Sequence, residues 1–218
     1  MKTFEDYKSM ISILTGDENQ KRYSEDMIRT GLQFALKDYD RFLPKKMEQT
    51  VPIMPINRFQ FFVPLIIEPE RLIFGIRTGN AECSSGQRFR SVNSYRCQRT
   101  NSGCLITIMD SDFDIVSGGK ALLELSEAHT IAHLNNASIT SVPDGHMEII
   151  CRGGSGYAMQ IRAASITEVF GRGAEDYETL IRQSAVLIQR FLQDLEALSI
   201  TMSEYNHALP TVGFSADR

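Results

Sequence analysis

The sequence predicts an α+β fold: a helical bundle with a long C-terminal helix and an inserted β-rich subdomain. Three observations predict it. Apolar residues recur at three- and four-residue spacing near both ends of the chain, which is the period of a helix buried on one side. The middle of the chain instead carries short β-branched and aromatic runs bounded by Pro, Gly, Asp and Ser. The last apolar stripe continues for about 25 residues, or roughly 37 Å at ~1.5 Å per residue, a length suited to lining a bundle or a ring. The expected division is a helical part over residues 1–46 and 143–199, a β-rich insertion over 47–142, and an extended C-terminal arm over 200–218.

In the first helix Phe4, Tyr7, Met10, Ile11 and Leu14 form one stripe, and Gly16-Asp17-Glu18-Asn19 breaks it. Ser24 is placed to cap a second helix, with Glu25 and Asp26 in its first turn, where negative charge suits the helix dipole. The apolar face of that helix runs Ile28, Leu32, Ala35, Leu36, Tyr39 and Leu43, and Pro44 stops it. Val51, Ile53 and Ile56, interrupted by Pro52 and Pro55, fit an edge strand or an extended linker. Strands are expected over 59–63, 71–76, 104–109 and 121–125, with turns at 110–112 and 117–120. The polar stretch between Cys83 and Gly103 lacks strong periodicity and reads as a long loop or hairpin. Pro143-Asp144-Gly145 signals the start of a helix over roughly 146–170, and Gly171-Arg172-Gly173 ends it. The final helix begins near Ala174 with the stripe Tyr177, Leu180, Ile181, Ser184, Leu187, Ile188, Phe191, Leu195 and Leu198. From residue 203 onward, with Pro210 and Gly213, no clear period remains.

Composition bounds the class. The chain has 218 residues, 42% hydrophobic and 23% charged, which are ordinary globular proportions. No apolar run is long enough to span a bilayer, and the first residues, Met1-Lys2-Thr3-Phe4-Glu5-Asp6, lack the apolar core of a Sec signal. A net charge of −4 argues against general coating of nucleic acid. Cys83, Cys97, Cys104 and Cys151 match no zinc-ribbon or finger spacing, so free thiols are expected. A Cys83–Cys97 or Cys97–Cys104 bridge stays open under oxidising conditions.

Few residues form patterns with chemical meaning. His129 and His133 are four apart, which on a helix would place two imidazoles on one face, as in zinc sites. No third ligand accompanies them, so polar or capping roles are expected. Gly153-Gly154-Ser155-Gly156 lacks the Lys-Ser/Thr of a P-loop and the third glycine of a dinucleotide fingerprint. With Ala158, Ala163 and Ala164 it reads as a helix side that lets another helix approach closely. Neither a nucleophile elbow nor a calcium loop is present. From Cys83 to Met109 there is no acidic residue, while Arg88, Arg90, Arg96 and Arg99 alternate with Phe89 and Tyr95. Such a stretch can grip phosphate and stack on bases, or grip an acidic protein surface.

Two segments carry a resemblance. One runs Ser24-Glu25-Asp26-Met27-Ile28-Arg29-Thr30-Gly31-Leu32-Gln33-Phe34-Ala35-Leu36-Lys37-Asp38-Tyr39-Asp40 and on to Pro44 and Val51. The other runs from His129-Thr130-Ile131-Ala132-His133-Leu134-Asn135-Asn136-Ala137-Ser138-Ile139-Thr140 into Gly153-Gly154-Ser155-Gly156-Tyr157-Ala158 and Arg162-Ala163. Together they resemble head-to-tail connector (adaptor) proteins of tailed bacteriophages and prophages, over the helical half of the chain. The resemblance implies a structural protein of the virion neck, assembled in the host cytoplasm, with no catalytic, metal or cofactor residues. It implies a homo-oligomeric ring of about twelve copies, built on heterologous contacts, that joins the portal protein to a tail or second neck protein. DNA would pass through its channel without sequence-specific binding, and no membrane would be involved. Apart from the resemblance, which does not account for the basic stretch, the partner-binding residues expected are Arg88, Arg90, Arg96 and Arg99 there, from its lack of acids, and Tyr205, Leu209 and Phe214 in the arm. The rivals are a tail-terminator or tail-completion protein, expected to be dominated by a β-sandwich; a nucleic-acid-binding module using the arginines; and a metal-dependent enzyme using His129 and His133.

Overall fold

In a computed structural model of the chain, the described residues are 2–19, 21–64, 73–79, 90–100, 103–109, 115, 119–169 and 174–205. The fold is α+β, and the described residues form four helices, the last of them long, and two antiparallel sheets. It divides into a helical unit, residues 1–45 with 128–205, and a β unit that begins at residue 46 and includes 46–127.

In the helical unit, helix α1 spans Phe4–Leu14 and α2 spans Glu25–Phe42. Asp6 starts α1 by accepting the backbone N–H of Thr3 at 2.7 Å. Ser24 caps α2 as its position predicts, accepting the N–H of Met27 at 3.3 Å. The turn between them is tied by the Asp17 carboxylate, which accepts the backbone N–H groups of Lys21, Arg22 and Tyr23 at 3.0, 2.8 and 2.9 Å. These three donors hold the Asp17 pKa below its ordinary value against the opposing effect of burial. A short 3₁₀ turn at Asp144–His146 leads into helix α3, Met147–Val169, and α4 spans Ala174–Tyr205. Buried side chains of all four helices form one core, among them Tyr7, Ile11, Leu32, Tyr39, Ile150, Cys151, Phe191 and Leu195. Burial pushes the Cys151 thiol pKa up, as expected of an inert core cysteine.

Two boundaries differ from the sequence expectation. Residues 128–142 belong to the helical unit and not to the β insertion, because Ile131, Leu134 and Val142 are buried in the helical core. Helix α4 has 32 residues and runs to Tyr205, so the expected arm over 200–218 begins as helix; residues 206–218 lie outside the described residues. Leu198, the last apolar residue of the predicted stripe, packs against the core, and Ser199 and Thr201 beyond it donate back to Glu196 O and Ala197 O at 2.8 and 3.0 Å. A helix tolerates such polar continuation without a new buried face.

The described residues of the β unit form two four-stranded sheets. Strands β1 (Lys45–Pro52), β8 (Lys120–Glu127), β4 (Ile73–Gly79) and β5 (Arg90–Ser91) make one, in the order β1-β8-β4-β5. The other has the order β2-β3-β7-β6, from Met54–Asn57, Gln60–Pro64, Gly103–Ile108 and Tyr95–Thr100. Prolines 52 and 55 lie in β1 and β2, both sheet edges, where a missing N–H is tolerated. Alternate residues of both sheets, including Val51, Phe61, Val63, Ile76, Ile106, Leu123 and Leu125, meet in a single core. Tyr95 of β6 ties the layers by donating its hydroxyl to Ile73 O at 3.1 Å, and burial pushes its pKa up to about 12. Of the two expectations for the stretch between Cys83 and Gly103, loop or hairpin, the end of the stretch follows the second: β6 pairs antiparallel with β7 from Tyr95↔Ile108 to Thr100↔Gly103. Its alternation, Tyr95 and Cys97 inward with Arg96 and Gln98 exposed, is masked in the sequence by polar residues on the outer face.

Candidate interaction surfaces

The two segments that carry the resemblance, about a hundred residues apart, meet in the helical unit. Asp40 at the end of α2 accepts the backbone N–H of His129 at 2.8 Å, and His129 Nδ1 lies 2.9 Å from the same oxygen. The Tyr39 ring stands edge-on to His129, with centroids 4.9 Å apart, and its hydroxyl shares a 2.6 Å hydrogen bond with His146 Nδ1. Burial pushes the Tyr39 pKa up to about 12, with the Asp40 charge adding to it. The His146 pKa is lowered by burial and by His129 nearby. About two and three turns earlier along α2, Gln33 Nε2 donates to Asn135 Oδ1 at 2.6 Å and Arg29 Nη1 to His133 O at 3.2 Å.

The segment around His129 and His133 is not helical. His133, Asn135 and Asn136 have φ of 69°, 51° and 62°, in the left-handed region that turn residues with short polar side chains tolerate best. Hydrogen bonds from Ala132 N to Thr140 Oγ1 at 2.8 Å and from Ser141 N to Thr130 O at 2.9 Å close it into a compact loop. The two imidazoles therefore do not share a helix face, and the spacing argument for a metal pair fails. Among the described residues no three His, Cys, Asp or Glu side chains group to hold a metal ion. The carboxylate–imidazole pair of Asp40 and His129 fastens the loop to α2.

Helix α3 is the centre of the unit, and its glycines lie inside it, not in a phosphate-binding loop. A Cβ on Gly31 of α2 would stand 2.6 Å from Gly154 O and 2.9 Å from Ala158 N. On the side toward α4, a Cβ on Gly156 would meet Ile188 Cγ1 at 2.6 Å, and one on Gly153 the Phe191 ring at 2.8 Å. Arg152 adds an ion pair to Asp194 of α4 and one to Glu148 at 3.0 Å. Sequence reading found the small-residue side of α3 but missed Gly31; a glycine inside an otherwise good helix is the available signal, because it costs ~1 kcal/mol unless packing requires it.

Two surface features stand out. A groove of about 500 Å³ runs between the end of α1 and helices α3 and α4, lined by Leu14, Met159, Val186 and Leu187, with Arg182 at its wall. Elsewhere on the unit Phe34 of α2 is 47% exposed, its ring centroid 5.6 Å from that of Tyr157 on α3. Tyr157 donates its hydroxyl to Asp38, which also pairs with Arg41 at 3.8 Å.

Of the four arginines expected to act together, three lie on described strands. Arg90 lies on the edge strand of one sheet, whereas Arg96 and Arg99 lie on the edge strand of the other. Arg90 and Arg96 are exposed. Arg88, Leu209 and Phe214 fall outside the described residues, and Tyr205 is the last residue of α4.

No known family model matches the chain. No curated protein matches it. A solved structure described as the neck of an empty GTA particle, computed with C6 symmetry, is similar over 71% of this chain and 74% of that one, at 9% identity and a TM-score of 0.23. Among the described residues no helix is long and apolar enough to cross a membrane.

Proposed function

We propose that this chain is a structural subunit of a phage-like neck, a ring-forming head-to-tail connector that joins a portal to a tail or second neck protein and extends the DNA channel. The observation that carries the reading is the convergence of the two resembling segments: Ala35, Leu36 and Tyr39 share one core with Ile131, Leu134 and Ala158, and Asp40 is bonded to His129. Residues that resemble connector motifs thus build the helical unit itself. The subunit works by packing and not by catalysis, as a particle component located in the virion. Helix α4, at 32 residues and ~1.5 Å per residue, is about 48 Å long, and its outer positions Glu178, Arg182, Val186, Gln189 and Arg190 are exposed for neighbours.

A second reading, a tail-terminator or tail-completion protein, is favoured by one observation: the β unit is built of two antiparallel sheets around a shared core. One experiment separates the two. Epitope-tagged chain is followed by electron microscopy in particles from hosts blocked in tail assembly and in head assembly. A connector decorates the portal vertex of tailless heads. Label on headless tails instead supports the terminator, and absence from every particle fraction overturns the neck reading.

A further inference from the structure

We propose that the loop over residues 128–142 is an acid-released latch on α2, opened when His129 and His146 both carry a proton. The latch does not depend on the neck reading. The loop is sprung: His133, Asn135 and Asn136 keep φ values of 69°, 51° and 62°, which non-glycine residues hold only where surrounding contacts enforce them. Three contacts with α2 do so, from Arg29 to His133 O, from Gln33 to Asn135, and between Asp40 and His129. Ile131, Leu134 and Val142 seal the closed loop against the core. Of the three contacts only the last contains a group that changes charge near neutral pH.

That contact sits in a cluster where one carboxylate serves two imidazoles. The Tyr39 ring centroid lies 4.9 Å from that of His129 and 5.9 Å from that of His146. Asp40 is bonded to His129, so a proton there meets a negative charge. His146 Nδ1 shares its 2.6 Å bond with the neutral Tyr39 hydroxyl, so a proton there meets none and adds a second positive charge to the half-buried cluster. The remaining ionisable groups nearby are Tyr7 of α1, Asp144 of the 3₁₀ turn, and Glu148 and Cys151 of α3. Burial pushes the Tyr7 and Cys151 pKa values up, which keeps both neutral. Asp144 is exposed to water, Glu148 pairs with Arg152, and His146 bonds to neither. Burial first, and His129 second, hold the His146 pKa below 6.5. Opening the loop relieves both, because it admits water and carries His129 away. The closed loop therefore resists the proton and the open loop takes it up. Closure is full above pH 6.5 and weakens as pH falls below it.

The test is amide hydrogen exchange of the full chain, read residue by residue by NMR and corrected for the intrinsic rate, from about pH 7.5 to about pH 5. The reporters are the N–H groups of Ala132, His133 and Ser141, which are bonded within the loop to Thr140 Oγ1, Ala137 O and Thr130 O. Core amides of α3 are the reference. The loop amides should be less protected than those of α3 throughout. Below pH 6.5 they should lose protection by up to about tenfold per pH unit, the limit for uptake of one proton. His146→Gln, which leaves the site unable to take the proton, should remove this dependence. His129→Gln, which removes the other charge, should weaken it. His133→Gln should keep it, since His133 is exposed and outside the cluster. Equal protection of loop and α3 at every pH overturns the latch, because the loop then opens only when the whole unit unfolds. A flat profile in the unmodified chain overturns it as well. So does a slope that survives in both His146→Gln and His129→Gln.

Discussion

Replacing Gly31 by Ala tests how closely α2 and α3 approach. In an open helix this change stabilises by about 1 kcal/mol, because Ala loses less backbone freedom on folding. Here the added Cβ would stand 2.6 Å from Gly154 O, 2.9 Å from Ala158 N and 3.3 Å from Ala158 Cβ. The first two are backbone atoms of α3, so no side chain can turn aside, and the helices must separate by several tenths of an ångström along their contact. Overpacking of this kind costs about 1–3 kcal/mol, and rigid backbone opposite places the cost toward the upper end. Subtracting the propensity gain leaves a net loss of about 1–2 kcal/mol. At roughly 2–4 °C per kcal/mol for a chain of this size, Tm should fall by about 2–8 °C. Thermal unfolding followed by far-UV circular dichroism reads the helical unit. Gly145→Ala is the control: its Cβ meets nothing within 4 Å and its φ is not positive, so stability should hold or rise by about 0.4–1 kcal/mol. A Gly31→Ala protein as stable as the control would refute the close approach of the two helices.

Other perturbations follow from single groups. Tyr39 and Tyr95, whose pKa values rise from 10.0 to about 12, keep their protons longer in the folded than in the unfolded chain. Stability is therefore full below pH 10 and falls as pH rises from 10 toward 12, and urea titrations across that window should show a shallower fall for Tyr95→Phe. His146 has the opposite sense: its lowered pKa means the folded state resists protonation, so stability is full above the ordinary value of 6.5 and declines as pH falls below it. His146→Gln should flatten the acid limb of a Tm-against-pH profile. Arg90 and Arg96 lie on different sheets, so Arg90→Ala/Arg96→Ala should leave the far-UV spectrum unchanged and alter at most the attachment of a neighbour. Steep salt-dependent DNA binding, lost in that variant, would instead favour the nucleic-acid module.

The helices were legible because a helix that buries one side advertises it locally. The stripe from Phe4 to Leu14, the Ser24 cap, the Pro44 stop and the start of the last helix at Ala174 all follow from spacing and end chemistry within a few residues. The β strands were legible where both faces are apolar, as in Gly103–Ile108, and were left open between loop and hairpin at Tyr95–Thr100, where an exposed edge carries Arg96 and Gln98. The basic stretch read as one binding element, and what the sequence did not show is that Arg90 and Arg96 fall on edge strands of two sheets.

Tertiary structure alone decided the rest, because its determinants are pairwise and distant. Nothing near His129 announces that its partner is Asp40, 89 positions earlier, or that a polar turn with three left-handed residues belongs to the helical core. Nothing within α2 tells that Gly31 faces the backbone of α3, or that β1 lies beside β8. Periodicity reports which side of an element is buried; it cannot report what buries it, since that is settled by shape and hydrogen-bond matching between surfaces that chain connectivity does not place together.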